Sequence, residues 1–147
     1  MSKDSETYDA VVEAWSRLTI SIMPKFANVM QKAYGDGWIG HATRVEGPSG
    51  LSPALCPGQT IIDSWNHFAP FFPQKDLTQI KKAVASLIDV RIEIAKPEAG
   101  IDPEVGLRLL KAIQQVAIAF DALALSNRIG ELIAKQRTLV SGPLQAG

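Results

Sequence analysis

Of the 147 residues, one is cysteine (Cys56) and two are histidine (His41 and His67). A single thiol forms no disulfide within the chain, which fits a reducing compartment. Cys56 lies in SPALCPG with no histidine or carboxylate arranged around it, so it reads as an inert thiol. Metal centres need clustered ligands, and of the two histidines only His67 has a potential ligand, Asp63, three or four positions away. Two ligands are too few, and an i,i+4 contact on one helix face is the plainer role. No metal and no cofactor is expected. Fifteen basic residues balance fifteen acidic ones, so no net field draws in nucleic acid. Apolar runs fall well short of the ~20 residues of a membrane span. The opening MSKDSETYD is too polar for a signal peptide, and a cytoplasmic protein without membrane attachment is expected. Phosphate-cradling GxxxxGK[ST] and nucleophile-elbow GxSxG patterns are both missing. The glycine-rich YGDGWIG follows a helical pattern, not a strand, and so reads as a helix stop and a turn.

What is present is a chain with 46% hydrophobic and 20% charged residues, the balance of a globular domain. Its length suits one domain, placed here at residues 1–140 with 141–147 as a tail or the start of a linker. Val11 or Val12, Trp15, Leu18, Ile22, Phe26, Val29 and Met30 recur at helical spacing, after a cap at Asp4 or Ser5. Pro24 is expected to kink or divide that helix near Met23, and Gly35 to end it. Trp38 and Ile39 read as a short docking segment. Residues 43–59 carry three prolines and three glycines and read as a surface connection. Helices then follow over 60–72, from Asp76 to about Ala95, and from Asp102-Pro103 to at least Leu125, with a bend at Ser126 and Asn127. The stretch IQQVAIAFDALAL is apolar nearly all round, so it lies centrally or also faces a partner. Trp15, Trp38 and Trp65 read as core. Arg17, Lys25 and Lys32 read as a solvated face. No useful strand alternation occurs. The fold class is all-α, a bundle of about five helices.

One residue interrupts this order. Leu77, Ile80, Val84 and Leu87 form an apolar stripe, and its next position is Arg91. A guanidinium there is either a packed stem with its head in water or on a carboxylate, or an anion-binding position between helices. With a buried carboxylate partner, its loss would cost ~3–5 kcal/mol.

The segments MQKAYGDGW, IIDSWNHFAPFF and ASLIDVRIEIAKP, in this order and followed by a helix with an acidic cap, are similar to HEPN domains. The subgroup resembled is one also found in a yeast messenger-RNA quality-control nuclease and in prokaryotic defence-type proteins. The resemblance spans most of residues 10–125. It implies a helical bundle that dimerises around an R-N-x-x-A-H motif, which in active members forms a metal-independent ribonuclease site. Arg91 matches the motif arginine and Ala95 its alanine. Ile92 replaces the polar residue and Lys96 the histidine. Proton transfer in RNA cleavage suits a group with pKa near 7. Histidine at ~6.5 meets that and lysine at ~10.4 does not. Position i+5 also points about 140° away from position i on a straight helix. The resemblance thus implies a non-catalytic homodimeric or docking module, with Arg91, Ile92 and Ile94 at its interface and Arg91 paired with Asp89, Glu93 or Asp63 across the cleft. It would belong to a larger prokaryotic defence or nucleic-acid-processing protein. The alternative is a ribonuclease or RNA-binding remnant that clamps phosphate with Arg91 and Lys96.

Overall fold

A computed structural model describes residues 2–41, 44–45, 54–55 and 57–141. Among the described residues there are six α-helices: α1 (Lys3–Tyr34), α2 (Pro57–Asp63), α3 (Trp65–Phe68), α4 (Leu77–Ile94), α5 (Pro103–Ala119) and α6 (Leu123–Ser141). Arg44–Val45 and Ala54–Leu55 pair as a two-residue antiparallel ladder between α1 and α2. Helix α2 begins at Pro57, so the last residues of the stretch 43–59 expected as a surface connection are helical, with Pro57 and Gly58 buried; Cys56, residues 42–43 and 46–53 and the tail 142–147 lie outside the described residues.

Helix α1 begins earlier than its sequence suggests. Ser2 is the cap, and its hydroxyl accepts from the Ser5 amide at 3.1 Å. Val11, Ala14, Leu18, Ile22, Phe26 and Met30 are fully buried, one stripe along its whole length. Pro24 does not divide it. The carbonyl that Pro24 leaves without a donor belongs to Ile20, which is 75% exposed, so water can satisfy it. Gly35 ends the helix at φ +76°, with its amide on the Gln31 carbonyl. The following 3-10 turn packs Trp38 edge-on against Phe26, while Ile39 stays half exposed.

The expected 60–72 helix is two short ones, broken at Ser64 and followed by a 3-10 turn through Pro70. Ser64 is buried, and its hydroxyl shares a 2.9 Å hydrogen bond with Tyr34 of α1. Phe68 and Phe72 follow into the core beside Phe26 and Phe120. Trp15, Trp38 and Trp65 are half-buried and pack against that core.

Helix α5 opens as its sequence dictates. The Asp102 carboxylate accepts from the amides of Glu104 and Val105 at 3.1 and 3.3 Å, and Pro103 takes the first turn. It lies centrally, packed on α1, α4 and α6. It does not continue to Leu125. Asp121, at φ +60°, closes it: the Ala122 amide bonds the Ala117 carbonyl and the Asp121 amide the Ile118 carbonyl. This is a Schellman cap with aspartate at the left-handed position. Lys25 adds to it by donating to the Phe120 carbonyl at 2.7 Å, a cation at the negative end of α5. The break therefore falls at Asp121, and Ser126–Asn127 lies inside α6. Among the described residues, no helix is long and apolar enough to cross a membrane.

Candidate functional site

The C-terminal end of α4 carries Arg91, Ile92, Ile94, Ala95 and Lys96. The helix stops at Ile94 because Pro97 drives the preceding residue out of the helical region. Lys96 takes φ −122° and ψ 68°, outside the helix and exposed. The first turns of α1 hold this end in place. The Tyr8 hydroxyl donates to the Ile94 carbonyl at 2.8 Å, and the Ile101 amide donates to the Asp4 carbonyl at 3.1 Å. Gly100, at φ +66°, makes the turn between them. A side chain at position 100 would press on Asp4, so the close approach also needs glycine.

The stripe of α4 sinks into the core as far as Val90, which is fully buried. Beyond that the helix emerges. Arg91 and Ile94 are half-buried, Ile94 packs against the core, and Ile92 is 51% exposed. Arg91 is thus not buried. Its side chain takes no part in the hydrogen bonds and ion pairs among the described residues. The Asp63 carboxylate accepts from Gln59 at 2.8 Å.

Both histidines lie elsewhere. His41 stacks on Tyr34 with ring centroids 4.2 Å apart, and His67 meets the same ring edge-on at 5.3 Å. Tyr34 and Tyr8 are at opposite ends of α1, about 39 Å apart at 1.5 Å rise per residue. Neither imidazole of this chain can therefore reach Arg91. The turn that would join Asp63 to His67 is interrupted at Ser64, and no group of three or more potential metal ligands exists among the described residues.

Two features are not visible in the sequence pattern. Glu13 of α1 and Arg128 of α6 form a two-pronged ion pair, at 2.7 Å from Nε and 3.0 Å from Nη2. Arg17 and Glu131 flank it. Hydrogen bonding and charge from Arg128 hold the Glu13 carboxyl below the ordinary carboxylate range. Only the spacings Glu13–Arg17 and Arg128–Glu131 are local; the link between them joins residues far apart in the chain. The second feature is the outer face of α4, where Ile62, Ala85 and Ile88 line a shallow, mostly apolar groove of about 450 Å³ against α2. Lys81 lies over the Trp65 ring at 5.4 Å along its edge.

No protein-family model matches the chain, and neither the curated proteins nor the solved structures contain a significant match to it.

Proposed function

We propose that the chain is a HEPN-like helical domain that acts by association, with a second copy of itself or with a partner, and not by catalysis. One observation carries this reading: the end of α4 presents a half-buried arginine and a half-exposed isoleucine, with both imidazoles of the chain at the far end of α1. An Arg91–Lys96 pair lacks the imidazole that the family motif sets beside its arginine for proton transfer. Ile92 supplies apolar surface at the position where the family motif has a polar residue. The motif order it shares with HEPN domains fits a cytoplasmic module of a larger prokaryotic defence or nucleic-acid-processing protein.

The second reading is phosphate binding by a remnant ribonuclease site. It is favoured by the absence of an ion pair to Arg91 among the described residues and by the exposure of Lys96. Cleavage and binding of a mixed-sequence RNA separate the two. On the association reading the native chain leaves RNA intact and sediments as more than a monomer at micromolar concentration. Any cleavage appears only after Ile92→Asn with Lys96→His. Cleavage by the native chain, lost in Arg91→Ala at unchanged melting temperature, would refute it. Salt-sensitive RNA binding without cleavage, lost in Arg91→Ala and Lys96→Ala alike, would favour the second reading.

A further inference from the structure

The outer face of α4 has a pattern that reverses about its middle. Ala85 is exposed and lies near the centre of the 18-residue helix. Four residues before it stands Lys81 and four residues after it Asp89, each about 6 Å away along the axis. Seven residues before it stands Thr78 and seven after it Ile92. All four are exposed on the helix. At 100° per residue they fall on one stripe with Ala85, pointing away from the buried Ile80, Val84 and Leu87. The basic half also carries Lys82 and the acidic half Glu93, while Arg91 lies on the core side of the stripe.

We infer that this face pairs with the same face of a second copy, the two α4 helices antiparallel about a two-fold axis at Ala85. Reversing the helix brings each Lys81 level with the other copy's Asp89 and each Thr78 level with its Ile92. An isologous interface requires this kind of self-complementarity. The small side chain on the axis lets the backbones approach to the 8–10 Å typical of packed helices. Antiparallel dipoles and opposite charges both favour the pairing, and neither Lys82, Asp89 nor Glu93 has an ion-pair partner among the described residues. The groove formed by Ile62 and Ile88 continues the contact onto α2. A parallel arrangement would instead set Lys81 against Lys81 and Asp89 against Asp89, so the charges select the antiparallel one. The inference rests on the self-association arm of the proposed function and names its surface.

The test uses the full chain. In a Cys56→Ser background, Ala85→Cys should form an intermolecular disulfide under mild oxidation, because the two copies of that residue meet on the axis. By sedimentation, Ala85→Arg, Lys81→Asp and Asp89→Lys should each weaken the dimer at least tenfold. The double variant Lys81→Asp with Asp89→Lys should recover most of the loss, since each swapped charge meets its swapped partner. Helical content and melting temperature are followed for every variant; Asp89→Lys leaves the Lys81–Trp65 contact intact and serves where Lys81→Asp unfolds. A dimer that survives Ala85→Arg and does not cross-link through Ala85→Cys overturns the inference and leaves the proposed function standing. Chains longer than dimers, or binding only to a different protein, overturn it as well. A native chain that stays monomeric at hundreds of micromolar removes both the inference and the self-association it rests on.

Discussion

Adding one methyl group at Gly106 should destabilise the bundle, although the same change usually strengthens a helix. Gly106 is buried in the first turns of α5, and a Cβ there would land on Cγ2 of Thr7 in α1. Thr7 is fully buried and cannot swing freely, because its Oγ1 accepts from Gln136 Nε2 of α6 at 2.7 Å. The other proton of that amide goes to the Pro103 carbonyl at 3.0 Å. Three helices meet at this point. Replacing glycine by alanine in a helix interior gains at most ~1 kcal/mol. Overpacking a filled site costs ~1–3 kcal/mol. If Thr7 rotates to make room, its hydroxyl leaves Gln136 with an unpaired buried N–H, a further ~1–3 kcal/mol. The net expectation for Gly106→Ala is a loss of ~2–3 kcal/mol, or a melting temperature lower by roughly 5–10 °C for a chain of this size. Urea unfolding followed by circular dichroism measures it. Thr7→Ser removes Cγ2 and keeps the hydroxyl, so the double variant should regain most of the loss. A neutral or stabilised Gly106→Ala, or a double variant no better than the single, would refute the packing argument.

Asp121→Gly should raise stability by ~0.5–1 kcal/mol, because the left-handed position that closes α5 costs a side chain and not glycine; equilibrium unfolding checks the sign, and Asp121→Val should move it the other way. Glu13→Gln should lower the melting temperature at pH 7. Because the folded-state pKa of Glu13 lies below its unfolded value, its contribution is present above the ordinary carboxylate range and is lost as pH falls through the lowered value. Melting curves of the two proteins should therefore converge in acid, and an unchanged gap at low pH would remove the electrostatic account. Arg91→Met should cost about 1 kcal/mol or less, since the stem packing is retained and no buried carboxylate loses its partner. A loss of 3–5 kcal/mol in thermal or urea unfolding would mean that Arg91 holds a counter-charge after all.

The elements that could be read from the sequence were those in which residue type and local geometry coincide. The stripe from Val11 to Met30 marks the buried face of α1 by periodicity, though neither its start at Lys3 nor its continuity through Pro24 follows from it, and Asp102 followed by Pro103 opens α5 as expected. The Asp121 break was hidden for the complementary reason. A Schellman cap is normally announced by glycine, and here an aspartate between Phe120 and Ala122 continues an apolar helical pattern without a visible stop. Lys25 shows the same limit on a different scale. Its place on the outer face of α1 follows from spacing, but the carbonyl it caps is brought to it only by the packing of α5 across α1.

The candidate site divides along the same line. Periodicity correctly puts Arg91 on the core side of α4, yet Val90, one residue earlier, is the last residue of the helix to be fully buried. Arg91 is therefore half-buried, and its guanidinium makes no ion pair among the described residues. That changes what the residue can be. A buried arginine would be a structural pin whose removal collapses the helix end; the Tyr8 bond to Ile94 and the turn at Gly100 already do that work. Arg91 is consequently free to be judged by association or phosphate binding alone, because its substitution leaves the scaffold that presents Ile92 and Lys96 in place.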